Sequence, residues 1–263
     1  MHWQWIAVGY VAYLAVVSLA RPEFARARRR VLTGCAAVGV LAVADLRYSP
    51  LGTPGTVIVP ALVLLAGYRL SGLLFVRIDF RVEAWLLESD ATTLGRTGIL
   101  ARFQRAPRAV SEYFELCYLL VYSALPIGAT LLAVSGQAGA VNRYWTAVLL
   151  SEFLCFAVLP WVQTRPPMIL EAPASSTINP GPFRRFNQFI AARASIRAST
   201  IPSGHAAGAL ASALGVGAVM PAAGAAFLVL ALSITTASVL GRYHYALDSV
   251  LGLLVALIAW SVI

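Results

Sequence analysis

The chain has 263 residues, 59% of them hydrophobic and only 12% charged, with a mean hydropathy of +0.77. So few polar side chains cannot cover a soluble globule, so the chain belongs in a bilayer. Its formal charge of +9 comes entirely from arginine, and the placement of those arginines between apolar runs argues for membrane topology rather than nucleic-acid binding.

A bilayer-spanning helix needs about 20 mainly apolar residues. Windows of that character fall near 3–20, 31–46, 55–76, 113–135, 141–163, 203–220, 222–243 and 246–263, which predicts eight spans. The fold class expected is therefore all-α: a polytopic bundle with an N-terminal hairpin over 1–54 and a six-helix unit over 55–263. The span at 31–46 is short and runs into Asp45 and Arg47. Arg21 to Arg30 follow the first apolar run rather than preceding it, so that run reads as a retained anchor, not a cleaved signal. Cys35, Cys117 and Cys155 fall inside spans without disulfide or zinc spacing, and read as packing residues.

Between Arg77 and Glu112 the chain mixes Phe80, Val82, Trp85, Leu86, Ile99, Leu100 and Phe103 with arginines and acids, the composition of helices in the headgroup zone. Arg102, Arg105 and Arg108 recur at helical spacing, which suits lipid phosphates; a solvated linker is the plainer alternative. Arg69 and Glu152 fall within spans, where an unpaired charge costs at least about 2.5 kcal/mol, so each is expected to have a partner, the other for instance, or a watered cavity. Glu112 and Glu115 lie near the arginine-rich loops and are expected to order them. The loop over 164–201 opens on Arg165-Pro166-Pro167, which stops a helix, and contains the turn signal Asn179-Pro180-Gly181-Pro182. Phe183 to Ile190 reads as a short amphipathic segment, in which Arg184 and Arg185 stand beside Phe183, Phe186 and Phe189.

With eight spans the linkers at 21–30, 77–108 and 164–201, and Arg242, share one face. That face carries seventeen arginines against Arg47, Arg143 and the intramembrane Arg69. The positive-inside rule assigns it to the cytoplasm, in contact with anionic headgroups.

The same face carries Ile201-Pro202-Ser203-Gly204-His205 and Arg242-Tyr243-His244-Tyr245-Ala246-Leu247-Asp248. Phosphoryl transfer requires donors for the phosphate oxygens, an in-line nucleophile and an acid for the leaving group. Ser203-Gly204-His205 stand where a loop becomes a helix, with unsatisfied N–H groups and the positive end of the helix dipole facing an anion. Ser203 can cap the helix and donate to phosphate, and Gly204 clears the approach. His244 and Asp248 are four apart on one helical face, so the acid can hold Nδ1–H and leave Nε2 as nucleophile. Arg165 and Arg242 offer planar forks for the transferring oxygens.

These motifs resemble the type 2 phosphatidic acid phosphatase superfamily. Its Pro-Ser-Gly-His signature is present at Pro202 to His205, and its Arg-Pro at Arg165-Pro166. Two of the family's cations are replaced, by Val158 seven before Arg165 and by Ser238 six before His244. Arg242 is a candidate substitute in a Gly-Arg-Tyr-His-Tyr run that resembles a branch near the inositol phosphotransferases. The resemblance, over roughly 55–263, implies His244 as nucleophile, Asp248 as its partner, His205 as general acid, and Arg165, Ser203, Gly204 and Arg242 as phosphate cradle. It implies hydrolysis of a lipid phosphomonoester or pyrophosphate without metal or other cofactor, through a phosphohistidine. The expected partner is the membrane lipid phosphate itself. Transfer to a sugar or inositol hydroxyl, and lipid-phosphate binding without turnover, are the alternatives; a zinc hydrolase would lack a ligand motif.

Overall fold

The computed structural model describes residues 2–48, 52–170, 181–196 and 198–263; Asn179, Pro180 and Arg197 of the long loop lie outside them. Among the described residues there are eight long helices, one for each predicted span. They are α1 (Trp3–Ala20), α2 (Ala25–Tyr48), α3 (Gly52–Gly72), α6 (Arg108–Val134), α7 (Ala138–Val158), α10 (Gly204–Gly217), α11 (Pro221–Leu240) and α12 (Ala246–Ser261). Shorter helices α4 (Phe80–Asp90), α5 (Ile99–Gln104), α8 (Pro167–Leu170) and α9 (Pro182–Arg193) fill the connections. Five helices are long and apolar enough to cross a membrane: Trp3–Ala20, Pro22–Tyr48, Pro54–Gly72, Arg108–Val134 and Pro221–Leu240. The protein is an all-α, polytopic helix bundle.

α10 packs against α6, α7, α11 and α12, and residues Ala206 to Ala213 are all buried. Fourteen residues rise only about 21 Å, short of the ~30 Å hydrocarbon core, so the helix starts and ends within the bundle. Its small-residue face is what lets α7 approach. A methyl on Gly204 or Gly208 would collide with the Glu152 carboxylate, and one on Gly215 with the Tyr144 ring.

The two ends of the bundle differ. At one end Gln163 ties the close of α7 to the connection after α3: its Nε2 donates to the Leu74 carbonyl (3.0 Å), and its Oε1 accepts from the N–H groups of Val76 (2.7 Å) and Arg77 (2.8 Å). At the other end Gln4 Nε2 donates to Asp45 (2.9 Å) and Arg143 lies over Trp260 (4.5 Å). Asp45 is thereby accommodated near the end of α2, so the short apolar window at 31–46 belongs to a 24-residue helix.

Two expectations need correction. The Arg21–Arg30 linker is a short 3₁₀ turn, Pro22–Phe24, followed directly by α2, so Arg26, Arg28, Arg29 and Arg30 are helical. Arg28 Nε donates to the Ser18 carbonyl (2.9 Å), which satisfies an end of α1. Arg69 and Glu152 do not pair. Arg69 is exposed in the last turn of α3, whereas Glu152 is buried against α10. The hydropathy window had carried the span past the helix end and so placed Arg69 too deep.

Between 77 and 112 the chain is helical over Phe80–Asp90, Ala91–Gly95 and Ile99–Gln104 and again from Arg108, with Phe80 and Trp85 exposed and Leu86 buried. Arg102, Arg105 and Arg108 are all exposed. The 183–190 segment belongs to α9, fixed as expected by the two glutamates. Glu112 Oε2 accepts from the Phe183 N–H (3.0 Å), and Glu115 binds Arg184 (2.7 Å) and Asn187 Nδ2 (2.8 Å).

Candidate active site

Three connections converge at the Gln163 end: the segment before α8, the loop into α10, and the turn between α11 and α12. Thr164 and Ser199 form an isolated antiparallel bridge, with the Ser199 N–H donating to the Thr164 carbonyl (2.7 Å). This brings Arg165 alongside the approach to α10. Ser203 N–H donates to the Asp248 carbonyl (2.9 Å), locking the start of α10 to α12. Met168 N–H donates to the Arg242 carbonyl (2.9 Å), which closes the ring.

The turn before α12 is held from below by one carbonyl. The N–H groups of Tyr243 and His244 both donate to Ser238 O at 2.9 Å. Arg242 accordingly adopts a left-handed conformation, φ 62°, uncommon for a residue with a Cβ. The Ser238 side chain is buried and hydrogen-bonded to Ser249 (3.0 Å), so the position where the resemblance puts a cation is a structural hydroxyl here.

His244 and Asp248 are both buried. His244 Nδ1 faces Asp248 Oδ2 at 3.6 Å, within ion-pair range but longer than a hydrogen bond. Ser199 supplies the missing link. Its hydroxyl donates to Asp248 Oδ2 (3.0 Å) and stands 3.3 Å from Nδ1, so it accepts the Nδ1 proton in the tautomer that leaves Nε2 with the lone pair. Tyr245 N–H also donates to Asp248 Oδ2 (3.3 Å), giving α12 a capping box.

His205, in the first turn of α10, lies with its ring 5.4 Å from that of His244. Tyr118 is sandwiched between the His205 ring (4.9 Å, 5° interplanar) and the Tyr243 ring (3.9 Å, 9°), and Tyr122 meets His205 edge-on at 5.7 Å. The imidazole is thus fixed by aromatic contacts, and its Nε2 is buried without a hydrogen-bond partner among the described residues. Ser203 caps α10, its Oγ accepting from Ala206 N–H (3.4 Å), while Gly204 N–H donates to Thr200 Oγ1 (3.3 Å). The Ser203 hydroxyl proton remains to be given.

Each nearby arginine has a carboxylate. Arg165 binds Glu83 through Nε (3.0 Å) and Nη2 (2.8 Å), Arg242 Nη1 binds Asp90 (2.6 Å), and Arg184 Nη1 binds Glu115 (2.7 Å). The Glu83 hydrogen bond raises the pKa of Arg165 further above its ordinary value. Arg184 also donates to Gly241 O (3.0 Å), and Tyr243 donates its hydroxyl to Glu115 Oε2 (2.7 Å). Burial pushes the Tyr243 hydroxyl well up, so it stays a donor.

All seven sequence-predicted site residues therefore fall within one connected cluster: His244, His205, Asp248, Arg165, Ser203, Gly204 and Arg242. Sequence reasoning missed Glu83, Asp90, Ser199, Tyr118 and Tyr122. The acids stand seven apart, two turns of one helix face, and the tyrosines four apart; both spacings were readable. Ser199 precedes the helix and carries no local signal.

An all-α bundle that gathers two histidines, an aspartate and arginines at one end defines a polytopic membrane protein with a candidate site there. A family model described as the PAP2 superfamily matches residues 84–262, well over half of the chain, and the chain belongs to that superfamily. Membership supports a phosphatase-type function on lipid phosphates in general. The match begins inside α4, so α1 to α3 lie outside it. No curated protein and no solved structure gives a significant match.

Proposed function

We propose that this protein is a metal-independent phosphatase of a membrane lipid phosphomonoester or pyrophosphate. The observation that carries the reading is the buried His244–Ser199–Asp248 chain beside Nε2 of His205, which has no hydrogen-bond partner among the described residues. Anion binding alone requires no imidazole oriented by an acid.

In this reading His244 Nε2 attacks phosphorus as the bond to the lipid oxygen breaks. The electron pair stays on that oxygen, which takes a proton from His205. Arg165, Arg242, the Ser203 hydroxyl and the N-terminus of α10 hold the remaining oxygens as negative charge builds. Water, deprotonated by His205, then attacks the phosphohistidine; the P–N bond breaks and its electron pair returns to His244. Asp248, through Ser199, stabilises the imidazolium character that His244 gains while it carries the phosphoryl group.

The test is inorganic phosphate release from a panel of lipid phosphates by purified protein in detergent with a chelator, compared with His244→Ala. Release by the wild type alone supports the reading. A wild type that transfers the group to an added sugar or inositol, with no free phosphate, establishes the phosphotransferase instead. The arginine distribution argues that the site faces the cytoplasm. Labelling of Gln188→Cys on exposed α9 by an impermeant thiol reagent in intact cells would overturn that orientation.

A further inference from the structure

α4 presents Glu83 and Asp90 on one face, two turns apart, and both carboxylates are buried, 3% exposed each. Each acid holds a chain segment twice, by backbone and by arginine. Glu83 Oε1 accepts from the Arg165 N–H (2.8 Å) and from Arg165 Nε (3.0 Å), and Oε2 accepts from Nη2 (2.8 Å). Asp90 Oδ1 accepts from the Ala246 N–H (3.0 Å), and Oδ2 from Arg242 Nη1 (2.6 Å). Between them Leu86 is buried at 1% exposure and seats the helix.

The Arg165 geometry is directional. A guanidinium has five donors in a rigid plane. With Nε and one Nη2 proton committed to Glu83, the edge formed by Nη1 and the other Nη2 proton is the one left to meet an anion. The Phe80 ring lies 5.7 Å from the guanidinium carbon and limits rotation out of this setting. Side-chain entropy that a long arginine would lose on binding phosphate is thereby lost on folding instead.

We propose that α4 is the positioning element of the phosphate cradle, with Glu83 and Asp90 setting Arg165 and Arg242 for the transferring group. The proposal rests on the function proposed above for these two arginines. It accounts for a feature that charge alone does not explain: acids buried beside cations that are meant for an anion. Their task is orientation, and the cations missing at Val158 and Ser238 make the orientation of the remaining two count for more.

The experiment measures orthovanadate affinity by titration, and phosphate release, for wild type, Glu83→Gln, Glu83→Asp, Asp90→Asn, Arg165→Ala and the Glu83→Gln/Arg165→Ala double variant. Thermal unfolding in the same detergent reports the fold. Glu83→Gln and Asp90→Asn are expected to weaken vanadate roughly tenfold. Glu83→Asp should recover part of the loss, and the double variant should bind like Arg165→Ala alone. Unchanged vanadate affinity in folded Glu83→Gln and Asp90→Asn overturns the proposal, as does a double variant whose losses multiply. A wild type that binds vanadate but releases no phosphate overturns the hydrolase reading and leaves the positioning role to be judged on the affinities. A wild type that does neither overturns both.

Discussion

Helix α1 of the hairpin and helix α10 of the site pack on the same helix, α7, by different kinds of contact. The hairpin meets α7 through an aromatic stack, Tyr10 on Phe153 at 4.1 Å and 9°. Beyond it, Tyr13 donates to Ala157 O (2.5 Å) and receives Trp161 Nε1–H (2.7 Å), while Arg21 reaches Pro160 O (3.1 Å). Helix α10 meets α7 through Gly204 and Gly208, seated on Glu152, and the loops around its start are held to α4 by the Arg165–Glu83 and Arg242–Asp90 ion pairs. One contact is an aromatic stack edged by hydrogen bonds; the other is close and leaves no spare volume. The family match begins after the hairpin, which fits a support that any well-packed apolar helix pair can supply, set against a site whose chemistry fixes residue types.

That contrast is sharpened most by removing the nucleophile. His244→Ala is expected to lower phosphate release at least about a thousandfold while leaving the helix content intact, since a group that makes and breaks bonds has no substitute nearby. Ser199→Ala comes next. It removes the link between Nδ1 and Asp248 Oδ2, leaving them 3.6 Å apart, and a hydrogen bond to a charged group is worth about 1.5–3 kcal/mol. The expected result is a fall in kcat of roughly ten- to a hundredfold with KM little changed. A Ser199→Ala enzyme of full activity would show that Asp248 orients His244 unaided.

How much of this was legible in sequence follows from the reach of each signal. Hydropathy found all eight long helices, because burial in lipid or in the bundle core asks for a long apolar run in either case. It misplaced Arg69 because a sliding window cannot see that α3 ends at Gly72. The Pro-Ser-Gly-His run and the His244–Asp248 spacing are local, so they picked out residues that the fold brings together. What stayed hidden is long-range: Ser199 joins His244 across 45 positions, Glu83 joins Arg165 across 82 and Asp90 joins Arg242 across 152. No periodicity records such a pairing. The idea that Glu152 meets Arg69 failed for the same reason: both are charges inside spans, but only packing reveals that one faces α10 and the other lies exposed.

The glycine contact gives a stability test of the close-packed side. Gly208→Ala places a methyl against Glu152 Oε1, and overpacking a tight core costs about 1–3 kcal/mol. Lower thermal stability in detergent is expected, with reduced phosphate release, because α10 carries His205 at its start. Glu152→Ala in the same chain should recover part of the stability by vacating that volume. If Gly208→Ala unfolds no earlier than wild type, α7 and α10 are not as close as the contact implies.

The smallest effect belongs to the hairpin. Tyr13→Phe deletes one hydroxyl that donates to Ala157 O and accepts from Trp161 Nε1, and a typical hydrogen bond is worth about 0.5–1.5 kcal/mol net. Tyr10 and Phe153 remain stacked, so α1 keeps its place. The expected outcome is a small loss of thermal stability with phosphate release unchanged. A Tyr13→Phe protein of normal stability but reduced turnover would mean that the hairpin sets the end of α7, and through Gln163 and Arg165 the site itself, making α1–α2 part of the catalytic unit rather than its support.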